Sequence, residues 1–309
     1  MSFSRWSNNT EESIQSLIEG IMNYTDWHIP AKDPLTNEDL LYQVSKSFEE
    51  NKTIELNGTN IEYNLIKYEY EKVKAGEETN AMRSSRIFLL QGYAVVYSDG
   101  TNTQYITNRS NNDTTKTILR KLSNYIGQGE VKSNEFRITE DLFIWMISKV
   151  LDSSTESLDE DSILFITKIV GFKGSSHDQL AEVTGSGNRI MNALSTLAFL
   201  FENEGVSYVK PIVEYKEHTI ELFLKINGSI DINFETYLGD YFMDDEDELI
   251  SKLTLLVSLE IIPKIISAYG EDVENDLWST EKKANMIAGI GENIQDKVTE
   301  KVSSLRSTI

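Results

Sequence analysis

The sequence predicts an α+β protein with two antiparallel β-meanders, each packed with helices, and a long helical C-terminal region. Three observations predict it. Alternating apolar and polar runs are joined by the turn dipeptides Asn57-Gly58, Asp99-Gly100 and Asn227-Gly228. Strand-like and helix-like stretches are grouped instead of strictly alternating, which argues against a doubly wound sheet. The chain closes on two long stretches with apolar residues at helical spacing.

The elements follow in order. Residues 11–24 carry Ile14, Leu17, Ile18 and Ile21 one helical turn apart, with Thr10 as the expected N-cap. Pro30 and Pro34 break the chain, and a second short helix is expected over 37–50, with Leu40, Leu41, Val44 and Phe48 on one face. Residues 53–56 and 61–73 read as a hairpin, 86–97 as an apolar central strand and 103–107 as its neighbour. Together they make a meander of about four strands. A helix is expected over 113–126, ended by Gly127, with Ile118, Leu119, Leu122, Tyr125 and Ile126 on its apolar side.

The polar stretch 127–134 divides the chain into a domain at 1–133 and another at 134–309. The second begins with a helix over 139–151, capped by Thr139 and carrying Phe143, Ile144, Trp145, Ile147 and Val150 inside. A strand follows at 163–170, then a polar stretch at 178–184 that reads as helical or irregular, and an apolar helix over 188–201. The second meander runs through 207–215, 219–226 and 229–234, with a turn at Glu217-His218. Two helices over 245–269 and 281–305 complete the chain. Pro263 should kink or split the first of these near Ile262, because it lacks an N–H and crowds the preceding turn.

Of 309 residues 39% are apolar, enough for a sizeable core and against global disorder. The 29 basic and 50 acidic residues leave a net charge of -21, a field that repels phosphate backbones and anionic lipid. Nucleic acid is therefore expected only at a local basic patch. Cysteine is absent, which removes disulfides, thiolate metal sites and cysteine nucleophiles. The polar first ten residues do not read as a signal peptide, and the apolar stretch 249–266 is interrupted by Ser251, Lys252, Ser258, Glu260 and Lys264. The expectation is a cytoplasmic protein without membrane insertion.

The most enzyme-like pattern is Pro211-Ile-Val-Glu214-Tyr-Lys216 on an apolar strand. A carboxylate and an ammonium two residues apart share one face of a sheet. The pattern resembles the E-x-K of metal-dependent nucleases of the restriction-endonuclease type. That resemblance implies Glu214 as a Mg²⁺ ligand and Lys216 as the group orienting the attacking water. It also requires an upstream acid; Glu202 and Glu204 lie at a helix end, without strand context. The alternative is a solvated strand face opposite a buried Pro211, Val213 and Tyr215.

Arg109, Lys116, Arg120 and Lys121 form the most basic cluster, with Arg83 and Arg86 in the adjoining sheet. Lys116 and Arg120 are one helical turn apart, so the group is the candidate nucleic-acid surface or else a cationic face paired with the chain's own acids. Gly185-Ser186-Gly187-Asn188-Arg189 matches neither phosphate-binding spacing and reads as a turn. His28, His177 and His218 are scattered, so no metal site and no cofactor is read from them. The acidic run 244–248 lacks calcium-loop spacing and reads as the start of a helix.

The last helix has the apolar stripe Ile287, Ile290, Ile294, Val298 and Leu305, interrupted by Gly289 and Gly291. It is expected either to pack on its own domain or to dock on a partner. Residues 163–232 resemble uncharacterised bacterial proteins of mobile-element or phage-defence neighbourhoods, a resemblance that supplies no catalytic residue. The composite expectation is a non-enzymatic, acidic component of a bacterial intracellular assembly, with a protein partner or a second copy. An E-x-K nuclease using Glu214 and Lys216 and a nucleic-acid sensor using the basic helix are the alternatives.

Overall fold

Asn57 and Gly58 both take left-handed backbone, with φ of +50° and +70°, and close the tight turn between β3 (Lys52–Leu56) and β4 (Thr59–Val73). The computed structural model describes residues 2–151, 157–158, 163–175, 182–186 and 205–306. They fall into two units, Met1–Glu135 with Asp244–Leu256, and Phe136–Met243 with Val257–Ile309.

The first unit contains β1 (Ser2–Asn8), α1 (Ile14–Met22), β2 (Tyr42–Lys46), β3, β4, the short α2 (Arg83–Arg86), β5 (Ile87–Ser98), β6 (Thr103–Thr107), α3 (Asp113–Leu122) and β7 (Val131–Ser133). Its strands are antiparallel in the order β2-β4-β5-β6-β1, with β3 also on β4 and β7 also on β1. Ile14, Leu17, Ile18 and Ile21 of α1 and Ile118, Leu119 and Leu122 of α3 belong to one core with Trp6, Ile66, Tyr68, Val96 and Tyr105 of the sheet.

One edge of β4 is shared: β3 pairs with Thr59–Tyr63 and β2 with Ile66–Tyr70. Asn64 fills the gap between them. Fully buried, it donates from Nδ2 to the Phe48 carbonyl and to Asn51 Oδ1, each at 3.0 Å, and its Oδ1 accepts from the Phe48 amide at 3.3 Å. The side-chain amide thus replaces ladder bonds where the partner strand changes.

Three expectations for this unit are corrected. The helix expected over 37–50 is instead a bridge at Asp39 followed by strand β2. Leu40, Val44 and Phe48 are buried and Leu41 exposed. A spacing of four serves a strand face as well as a helix face, and pairing with β4 decides between them. The cap of α1 is Ser13, whose hydroxyl accepts from the Ser16 amide at 3.2 Å, and not Thr10. Helix α3 stops at Leu122, four residues before Ile126: Asn124 adopts φ +54°, and Ile126 is 92% exposed. Strands β1 and β7 were not expected from the sequence; β7 falls within the polar stretch 127–134.

The second unit holds α4 (Glu140–Leu151), β8 (Leu164–Ser175), β9 (Glu182–Ser186), β10 (Gly205–Tyr215), β11 (His218–Lys225) and β12 (Ile230–Ile232). Its strands are antiparallel in the order β9-β8-β10-β11-β12. The Thr139 hydroxyl accepts from the Leu142 amide at 3.1 Å, as an N-cap should. Phe143, Trp145, Met146 and Ile147 are fully buried where α4 covers β8 and β10. The end of the stretch expected to be helical or irregular is instead the start of β9, and the turn between β10 and β11 is Lys216-Glu217, one residue earlier than expected. The helix expected over 188–201 lies outside the described residues.

Helix α5 (Glu246–Leu256) belongs to the first unit; α6 (Ile262–Glu274) and α7 (Thr280–Arg306) belong to the second. Between α5 and α6 the chain makes a π-helical turn, Val257–Ile261, and Pro263 sits in the first turn of α6. The disruption expected near Ile262 takes this form because Pro263 offers no N–H to the carbonyl four residues back and needs room there, which the wider turn provides. Ile290 is the one buried residue of α7. Among the described residues no helix is long and apolar enough to cross a membrane.

Candidate functional site

Strand β10 alternates strictly at its end: Pro211, Val213 and Tyr215 are buried and Glu214 is exposed. Lys216 does not continue the strand. It opens the turn with φ +50°, an uncommon conformation for a residue with a Cβ. Its ammonium donates to Glu260 Oε1 at 3.1 Å. Glu260 is 2% exposed, sits in the π-helical turn and also accepts from the Tyr215 hydroxyl. A buried carboxylate is tolerable only when it is hydrogen-bonded or paired, and both of these donors converge on Oε1. Glu214 has no hydrogen bond or ion pair of its side chain among the described residues.

Among the described residues the acid hydrogen-bonded to Lys216 is Glu260, 44 positions downstream. The signal was present in the sequence as a lone carboxylate within an apolar helix, which must find a partner. Glu202 and Glu204 lie outside the described residues. Among the described residues no three His, Asp or Glu side chains gather in a geometry that would hold a metal ion.

His218 opens β11 beside this cluster. It is 6% exposed, its Nδ1 lies 2.8 Å from the Tyr237 hydroxyl, and its ring is 4.8 Å from that of Tyr241. Burial lowers its pKa below the usual imidazole value, against the opposing pull of Asp240 and Glu260. The ring is thus neutral at pH 7, held against two tyrosines. The end of this hairpin is a hydrogen-bonded anchor between β10–β11 and the turn at Glu260.

The basic cluster is largely engaged by its own unit. The Nε of Arg109 donates to the Tyr68 hydroxyl and its Nη2 to the Gln91 carbonyl, both at 2.8 Å. The Nη2 of Arg120 donates to the Ile126 carbonyl at 2.8 Å. Lys121 lies over two rings, 4.3 Å from the centre of Tyr70 and 4.7 Å from that of Tyr42, and burial together with Lys72 lowers its pKa. His28 also stacks on Tyr42, with ring centres 3.8 Å apart. Arg83 pairs in bidentate fashion with Glu71, and the buried Arg86 with Asp33. Lys116, half-buried, has no such partner among the described residues.

The acidic run is also structural. Asp247 pairs with Lys67 of β4 at 2.6 Å, and Glu248 with Lys52 of β3, so the start of α5 is held to the sheet of its own unit. Asp245 caps α5, accepting from the Glu248 amide at 2.9 Å. Gly185 and Ser186 end β9; Gly187, Asn188, Arg189 and His177 lie outside the described residues.

Helix α7 differs from these clusters in having little packed on it. Met286, Gly289, Ile290 and Asn293 face a cleft of roughly 390 Å³ that is closed on the other side by Trp145 and Trp278. Asp272 accepts from Trp145 Nε1 at 2.7 Å and from Lys149 at 2.6 Å on the same wall. Ile294 is partly buried, and the other large apolar side chains are exposed: Ile287 39%, Val298 48%, Val302 41% and Leu305 58%. From Gly291 onward no residue is fully buried, although Gly291, Ile294 and Lys297 are partly covered.

Comparison with known protein families and with curated proteins finds nothing that matches this chain.

Proposed function

We propose that the chain is a non-enzymatic, acidic component of a bacterial intracellular assembly that engages a protein partner through the exposed apolar face of α7. The observation that carries this reading is the row Ile287, Val298, Val302 and Leu305, open to solvent on a helix of 27 residues. Water does not favour such a segment alone: most helical stability in proteins comes from packing of the amphipathic face, and each glycine costs roughly 1 kcal/mol relative to alanine. A helix of this kind is stabilised by what covers it. The resemblance of residues 163–232 to bacterial mobile-element and phage-defence proteins is the ground for placing the assembly in bacteria.

Hydrogen exchange of the amides at 291–306 in dilute solution tests the reading. Rapid exchange is expected, while the strands of both units stay protected. Protection of this segment in a dilute monomer would mean that it packs on its own domain, and the reading would fail. The nuclease alternative rests on Glu214 and Lys216 of the E-x-K pattern. Plasmid cleavage with Mg²⁺ or Mn²⁺ that disappears in Lys216→Ala would favour it over the interaction reading.

A further inference from the structure

We propose that α7 pairs with the α7 of a second copy of this chain as an antiparallel two-stranded coiled coil, with a two-fold axis passing beside Asp296. This rests on the reading of α7 as the interaction surface. Ile287, Gly291, Ile294, Val298, Lys301 and Leu305 follow one another at steps of four, three, four, three and four residues. That is the heptad seam of a coiled coil. None of the six lines the cleft under α7, so pairing leaves the packing against Trp145 and Trp278 intact.

The order of steps reads the same in both directions. In an antiparallel pair Ile287 meets the second copy's Leu305, Ile294 meets its Val298, and Gly291 meets its Lys301. Every apolar residue of the seam then faces another. The lysine stem crosses the glycine, where no side chain stands in its way, and its ammonium reaches water beyond. A parallel pair would set Lys301 against Lys301 inside the seam and Gly291 against Gly291 over a hole. A lone polar seam residue is a known device for fixing the orientation of coiled coils. The antiparallel surface is also self-complementary, as a two-fold contact requires.

Charge fits the same partner. The chain carries a net charge of -21, but α7 holds four acids against five bases. Two acidic chains repel least where this helix meets its copy, and added salt should strengthen the pair by screening the rest.

The chain has no native cysteine, so introduced ones report cleanly. The test uses Ile287→Cys and Leu305→Cys in the full-length chain under mild oxidation, beside sedimentation and hydrogen exchange of the wild type over a range of concentrations. In the antiparallel pair two copies of position 287 lie about 27 Å apart, far beyond the roughly 6 Å between Cα atoms that a disulfide spans. A disulfide-linked dimer is therefore expected only when the two variants are mixed. The wild type should sediment as two chains, dissociate on dilution, and gain protection at 291–306 as its concentration rises. Val298→Glu should sediment as one chain. Cross-linking of Ile287→Cys to itself would overturn the antiparallel arrangement. A wild type that stays monomeric at high micromolar concentration would overturn self-pairing. Rapid exchange at 291–306 in that monomer would leave α7 as a free face for another protein, whereas protection there would remove the interaction reading as well.

Discussion

Helices α4 and α7 belong to the same unit, and both are amphipathic. Of the twelve residues of α4, six are buried; of the 27 of α7, one is. Helix α4 packs on a sheet and buries Phe143, Trp145, Met146 and Ile147, with Trp145 turned toward Tyr269 and Asp272 of α6. Helix α7 carries a narrower stripe, thinned by Gly289 and Gly291 and crossed by Lys301. The difference teaches that an amphipathic pattern announces a face needing cover without naming the cover. What separates the two is the size of the side chains on that face and whether a sheet lies within reach.

The largest expected effect lies on the covered helix. Trp145→Ala should cost about 3–5 kcal/mol by removing a fully buried ring. Urea unfolding measures it, and a loss well under 1 kcal/mol would erase the contrast with α7. Ile290→Ala, at the point where α7 meets its own unit, should cost about 2 kcal/mol, near the low end for a buried isoleucine. Together with Val298→Ala in a dilute sample, it marks where α7 stops being part of the core.

Asp141 sharpens the comparison through pH. Burial alone would raise its pKa, but the hydrogen bonds from Lys283 of α7, Tyr269 and Trp278 outweigh this and hold the carboxyl below its usual value. The stability it contributes is therefore complete above the ordinary carboxylate pKa, near pH 4, and is lost as pH falls through the lowered folded value. Asp141→Asn should destabilise the protein at pH 7, with the gap to wild type closing in acid. A gap independent of pH would show that the carboxylate does not tie α4 to α7. The smallest effect belongs to the exposed stripe: Val298→Glu should change the stability of the dilute monomer by no more than about 0.5 kcal/mol. A loss of several kcal/mol by thermal melting would place this residue in a core after all.

The hairpins were legible from the sequence because Asn57-Gly58 and Asp99-Gly100 fix both the turns and the alternation on either side. Four strands were not: β7 and β9 lie in polar stretches without apolar alternation, and β1 and β2 hide for other reasons. In β1 the inward positions include Ser4 and Asn8, both buried, so the apolar alternation that marks a strand is missing. In β2 the spacing of Leu40, Val44 and Phe48 satisfies two periodicities at once, and only a partner strand distant in sequence selects one. The surroundings of Lys216 were half legible. The strand, the buried Tyr215 and the exposed Glu214 followed from alternation, but Glu260 arrives from a helix whose winding is altered ahead of Pro263. The basic helix was visible as charge, while the tyrosines and carbonyls that engage it become neighbours only through tertiary folding.

The amide of Asn64 acts as a clasp for two short strands that would otherwise end beside each other unfastened. Its Nδ2 reaches two acceptors, the Phe48 carbonyl and Asn51 Oδ1. An ionised carboxylate of identical shape has no proton to offer either one. Exchanging one nitrogen for an oxygen, in Asn64→Asp, would turn both attractions into repulsions and loosen β2 and β3 from a single point.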